Sequence, residues 1–239
     1  MLTLLIPRLF SPSSRATRAL PLLRRPLSQA YSTGSTANQL RDLLHQNQQW
    51  ASKISPVLLA SLEKGQYPKC LWIGCSDSRV SPTTLTRQPL GSIFEHRNIA
   101  NLVSPTDPSA MAIIEFAISL LRVPDLIVCG HTHCTGIATA MAHEEAKEDE
   151  CKDHLHQWLT PARQVYRDHA KELQAMNSEE RVLELGRLSV QASVSAIAST
   201  KAAQVAWSQG QTLRIHGWRF NLGEGLLEDL NMTRSGPSP

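Results

Sequence analysis

The 239 residues are 41% hydrophobic, enough apolar material to bury one substantial core, and the length fits one domain. The formal net charge of +3 suggests a nucleic-acid partner, but Arg8, Arg15, Arg18, Arg24 and Arg25 all lie in the first 33 residues; without those five, 24 basic residues become 19 against 21 acidic ones, a net of −2, and that reading loses its support. Five cysteines, Cys70, Cys75, Cys129, Cys134 and Cys151, are odd in number and unevenly spaced, which excludes a disulfide scaffold and leaves ligands, nucleophiles or small core residues.

In chain order, residues 1–33 are rich in Leu, Arg and Ser and hold no acid, the first being Asp42. Arginines interrupt every apolar run before it reaches the roughly 18 residues of a membrane span. The segment reads as a mitochondrial presequence cleaved near its end, leaving residues 34–239 as a single domain in the mitochondrial matrix. From 38 to 62, Leu40, Leu43, Leu44, Trp50, Ile54, Leu58 and Leu59 predict one or two amphipathic helices. Their apolar face needs a cover, and a neighbouring subunit would supply it.

Short apolar runs then alternate with helical patterns. Strands are expected over 70–74, 93–96 and 126–129, and helices open at Ser81-Pro82 and Asp107-Pro108, the latter running to about 121. Two long helices follow near 155–174 and 178–198, then late strands at 213–216 and 219–222 with a turn at Gly223 and Gly225. The pattern predicts an α/β fold: a mainly parallel β-sheet core flanked by helices, with an N-terminal helical arm packing on a partner subunit.

Cys75 directly follows the first strand, and His131 follows the third after one glycine. Both therefore lie at carboxyl ends of strands, where parallel α/β folds build their sites. Cys134 comes three residues after His131, a spacing that lets two side chains of one loop reach one ion. Two thiolates and an imidazole make a tetrahedral zinc site with one position left for water, the composition of a catalytic rather than a closed structural site. Cys70 and Cys129, inside apolar strands, read as packing residues.

The segments Cys75-Ser76-Asp77-Ser78-Arg79 and Gly130-His131-Thr132-His133-Cys134 together resemble the paired signatures of the β-class carbonic anhydrases. The likeness runs from about residue 40 to 230 and includes the stretches from Gly65 to Pro68, from Phe94 to Asn101, from Ile114 to Ala117 and from His216 to Phe220. It implies one Zn2+ per subunit on Cys75, His131 and Cys134, and reversible hydration of carbon dioxide to bicarbonate and a proton by zinc-bound hydroxide. It pairs Asp77 with Arg79 as the catalytic couple, Asp77 accepting the proton of the nucleophile and Arg79 holding it ionised. Asp77 could instead bind the metal in a closed, inactive state. By the same match Gln66, Phe94, Ile99 and Phe116 would bind the substrate, and Trp72, Arg97 and a tyrosine at 220 would form a bicarbonate regulatory site; Phe220 lacks that hydroxyl. The family implies a homodimer, with dimers pairing into tetramers in many members.

Other residues stand outside the core pattern. Thr135 replaces a glycine common in the family, His133 and His96 are candidate proton shuttles, and His143, His154 and His156 read as a solvated helical face. Two competing functions use the same residues: hydrolysis of carbonyl sulfide or carbon disulfide, and a zinc- or bicarbonate-binding scaffold without turnover. The Asp77 and Arg79 pair argues against the scaffold.

Overall fold

A computed structural model describes residues 36–145 and 153–236, so the predicted presequence and Cys151 lie outside the described residues. The chain divides into two units between Leu59 and Ala60. Over its described residues the first unit is helical, with α1 (Thr36–Ala51) and the opening of α2 (Pro56–Glu63). Leu40, Leu43, Leu44 and Trp50 are exposed along α1, at the spacing that puts them on one side of a helix.

The second unit is built on a sheet. β1 (Cys70–Cys75), β2 (Ile93–Asn98), β3 (Asp125–His131) and β4 (Arg214–Asn221) run parallel in the order β2-β1-β3-β4. β5 (Leu226–Asp229) and β6 (Arg234–Ser235) add antiparallel to β4. Around the sheet lie α3 (Pro82–Thr86), α4 (Pro108–Glu115), α5 (Thr135–Glu145), α6 (His154–Trp158), α7 (Thr160–Asp168), α8 (Ala170–Gln174), α9 (Ser178–Ala198) and α10 (Lys201–Ser208). The expected mainly parallel core flanked by helices is present.

Alternation along the strands divides the core into two layers. Leu71, Ile73, Leu126, Val128 and Ile215 pack with Ile114, Val190, Val194 and Ile197 in one layer. Trp72, Ile127, Cys129 and Phe220 pack with Ile137, Leu159, Tyr166 and Leu185 in the other. Each fully buried Leu or Ile contributes roughly 1.5–3 kcal/mol, so these layers fix the strand ends in space.

Helix starts follow their local chemistry. Asp107 caps α4 by accepting the Ser109 N–H at 3.0 Å, as Asp107-Pro108 predicts. Asn177 and Glu180 form a reciprocal capping box at α9, with bonds of 3.0 to 3.2 Å. Pro82 begins α3, but Ser81 makes no backbone cap and instead accepts from Thr84 Oγ1 at 3.2 Å.

Three differences from the sequence expectation have physical causes. The two late strands are one, β4: nothing between 216 and 219 turns the chain, and Gly217 leaves its Cβ space to the Met232 side chain. The helix expected over 155–174 is three short helices, broken at Leu159 and His169. This break overturns the solvated histidine face: His156 is 5% exposed and its ring stacks on His143 at 5.1 Å, while His154 stays exposed. His156 also bonds buried Arg163, which pairs with Glu144 Oε1 at 2.5 Å, and burial followed by the Arg163 charge lowers the His156 pKa.

Among the described residues no helix is long and apolar enough to cross a membrane.

Candidate metal centre

β1 and β3 are adjacent and parallel, so their last residues, Cys75 and His131, emerge side by side at one edge of the sheet. From His131 the chain turns through His133, whose φ of 55° is left-handed, and delivers Cys134 to the start of α5. The result brings Cys75, His131 and Cys134 together, all buried, with their ligand atoms within 4.8 Å of one another. His133, between the two ligands, is exposed.

These residues fit zinc. The two sulfurs are 4.0 Å apart and both cysteines are free; tetrahedral Zn–S bonds of about 2.3 Å place sulfurs roughly 3.8 Å apart. His131 Nδ1 is tied to the Thr132 carbonyl at 2.9 Å, which leaves Nε2 for the centre. That Nε2 is buried without a hydrogen-bond partner, the condition of a ligand nitrogen rather than a satisfied core histidine.

A backbone amide supports one thiolate, the Asp77 N–H reaching Cys75 Sγ at 3.5 Å. Cys134 directly precedes the first turn of α5, where the helix dipole favours an anion. The hydrogen bond shared with Cys134 is the main reason that the Cys75 thiol is drawn well below the usual thiol range. The same pairing, with burial, pushes Cys134 up. Cys70 and Cys129, raised by burial to about 11 and about 12, are packing thiols as expected.

Asp77 lies on the loop after β1, its Oδ2 3.9 Å from His131 Nε2. Arg79 grips both carboxylate oxygens, Nε to Oδ1 at 2.9 Å and Nη2 to Oδ2 at 2.6 Å, and adds its own N–H to Oδ1 at 2.9 Å. The Arg79 hydrogen bonds, opposed by partial burial, hold the Asp77 carboxyl well below the usual carboxylate range.

Arg97 holds this loop, a role its sequence position did not suggest. From β2 its Nε donates to the Cys75 carbonyl at 2.9 Å and its Nη2 to the Asp77 carbonyl at 2.7 Å. Thr132, also missed, locks the His131 tautomer with its carbonyl and ties Leu222 N–H to its hydroxyl at 2.9 Å. Thr132 was visible inside its motif, but its partners on another strand were not. His96 is half-buried, its Nε2 3.2 Å from Asn98 Nδ2, and burial lowers its pKa.

The expected substrate residues are placed unevenly. Phe94 stacks on Phe116 with centroids 5.8 Å apart. Gln66, Ile99 and Phe116 are exposed on the single chain.

Comparison with known proteins agrees with this geometry. The carbonic anhydrase family model matches residues 70–227, which contain every residue of the centre. The chain is 38% identical to a carbonic anhydrase of Emericella nidulans over 194 residues, 80% of this chain and 82% of that one. It is 33% identical to one of Saccharomyces cerevisiae over 210 residues, 85% and 94% of the two chains. Among solved structures, the β-carbonic anhydrase CafA of Aspergillus fumigatus superposes with a TM-score of 0.75 at 38% identity, covering 84% of this chain and 93% of that one. A tetrameric β-carbonic anhydrase of Sordaria macrospora gives 0.76 at 35% identity, covering 82% and 99%. With a cysteine, histidine and cysteine converging at the edge of a parallel sheet, the chain belongs to the β-class carbonic anhydrases, zinc enzymes of reversible carbon dioxide hydration.

Proposed function

We propose that Cys75, His131 and Cys134 hold the zinc ion and that Asp77 and Arg79 form the catalytic pair. The observation that carries this is the Asp77 carboxylate, clamped on both oxygens by Arg79 and 3.9 Å from the unpartnered nitrogen of His131. Zinc in this position would supply a Lewis acid that brings a water pKa from about 15.7 to near 7. Asp77 Oδ2 then accepts a hydrogen bond from the attacking water and aims its lone pair at the carbon of carbon dioxide. Arg79 keeps Asp77 ionised and therefore an acceptor, and its grip on both oxygens favours an open state over one in which Asp77 takes the metal. Stopped-flow hydration by the zinc-loaded wild type and Asp77→Asn tests the assignment; a wild type no faster than buffer would end it. A zinc-loaded crystal structure at pH 7 to 8 with Asp77 on the metal would end the open-state reading.

The substrate pocket is assigned to Gln66, Phe94, Ile99 and Phe116, an amide donor among apolar walls suited to a small molecule without a net dipole. Ile99 and Phe116 are 44% and 40% exposed on one chain, so a second copy is the proposed cover. The N-terminal helical arm is assigned to packing on a partner subunit because α1 leaves its leucines and Trp50 uncovered. A homodimer, or a tetramer like that of the Sordaria relative, follows. Light scattering of the full chain and of one lacking residues 1–52 would test this, loss of the dimer being expected.

Residues 1–33 are proposed as a mitochondrial presequence and residues 34–239 as one domain in the matrix, supported by five arginines and no acid in the leader. Imaging of a fluorescent fusion with and without residues 1–33 tests it; unchanged distribution would remove the assignment.

A further inference from the structure

Ile99 is followed by two buried non-glycine residues in left-handed backbone, Ala100 at φ 64° and Asn101 at φ 49°. Such backbone costs energy for a residue with a Cβ and persists only where its surroundings impose it. One tie is local: the Asn98 carboxamide donates to the Leu102 carbonyl and accepts the Leu102 N–H, both at 2.8 Å. The other comes from a distant element, the Trp158 indole Nε1 donating to the Ile99 carbonyl at 2.8 Å.

The Ile99 side chain stands beside the metal centre. A Cβ on Gly136 would meet Ile99 Cγ2 at 2.8 Å, so one flank of Ile99 rests on α5 two residues past Cys134. The residue as a whole stays 44% exposed, so packing holds it from one side only. Trp158, by contrast, is firmly delivered. Asp153 caps α6 by accepting the His156 N–H at 2.7 Å, and buried His156 and Leu159 anchor the chain before and after the indole.

We propose that Trp158 is a positioning residue of the substrate pocket, its indole N–H fixing the Ile99 backbone and with it the apolar wall that Ile99 presents. The inference rests on the assignment of Ile99 to that pocket. Trp158 itself touches no substrate. Carbon dioxide makes only dispersion contacts with an apolar wall, and these weaken steeply when a gap of a fraction of an ångström opens. Contacts of this kind are made alike in the ground state and the transition state, so losing them raises KM and leaves kcat in place.

Trp158→Phe keeps an aromatic ring and drops the N–H. In stopped-flow hydration by the full zinc-loaded chain, KM for carbon dioxide is expected to rise about fivefold, the scale of one neutral hydrogen bond, with kcat within about twofold of wild type. Ile99→Ala is expected to raise KM by itself, and Trp158→Phe added to it to change KM by less than about twofold, because the wall it positions is already gone. A wild-type KM with a lower melting temperature would make Trp158 a packing residue and overturn the proposal. So would a fall confined to kcat, or the same rise in KM in both backgrounds. Should Trp158→Phe not fold, Trp158→Met, apolar and without a donor, is read by the same outcomes. Ile99→Ala with the wild-type KM would instead take Ile99 out of the pocket, ending that assignment and this proposal together.

Discussion

Asp77 Oδ2 stands 2.6 Å from Arg79 Nη2 and 3.9 Å from His131 Nε2, so one carboxylate is shared between a cation that fixes its charge and the nitrogen that faces the metal position. Asp77→Asn preserves the shape, removes the charge and turns one acceptor into a donor facing the guanidinium. The expected result is a fall in kcat/KM for carbon dioxide of about 100-fold or more, with zinc content unchanged. Less than a tenfold fall, by stopped-flow, would remove Asp77 from the chemistry.

Cys134→Ser removes the ligand that directly precedes α5. Metal analysis after dialysis is expected to find zinc at well under the roughly one ion per chain of a three-ligand site, with hydration activity lost in proportion. Cys129→Ser, a thiol of the core, should leave zinc stoichiometry unchanged; equal zinc loss in both variants would count against the ligand assignment.

At the opposite edge of the sheet from the centre, Asp125 accepts bonds from Arg214 at 2.7 and 2.9 Å and from His216 at 2.9 Å. Burial alone would raise its pKa, but the hydrogen bonds and charges of Arg214 and His216 together outweigh it and the net shift is downward. A depressed folded-state pKa means the unfolded chain binds the proton first as pH falls. The contribution of Asp125 is therefore fully present above the unfolded value, about 3.9, and lost as pH drops through the lower folded one. For a partly exposed group it is about 1 kcal/mol at most. Urea unfolding should show Asp125→Asn less stable than wild type near neutral pH, with the gap closing below about pH 4; a gap constant with pH would exclude the linkage.

Arg163 is 5% exposed and pairs with Glu144, whose side chain is 10% exposed. Removing one partner of a buried pair costs about 3–5 kcal/mol, because the other charge is left in low dielectric. Arg167 also reaches Glu144 Oε1 at 3.0 Å, so Arg163→Ala is expected at the lower end of that range. Denaturant midpoints measure it; a change under about 1 kcal/mol would mean that Arg167 suffices.

What could be read from the residues in order was short in range. Asp77 and Arg79 are two apart, His131 and Cys134 three apart, and the Asp107 cap acts within one turn, so spacing alone carries their geometry. The alternation of strands and helices was legible for the same reason, since the apolar period is a local property. The strand pair at 213–216 and 219–222 was misread because a glycine looks like a break until Met232, fifteen residues on, is seen filling its place.

The sequence by itself determined the chemistry available: two thiols and an imidazole at strand ends, with an aspartate and an arginine close by. Tertiary structure decided how that chemistry is held. Register of β2 on β1 puts Arg97 opposite Gly74 and under the Cys75 and Asp77 carbonyls, and the break at Leu159 folds His156 onto His143. Each of these contacts joins residues whose approach depends on packing and register elsewhere in the chain, which no local spacing encodes.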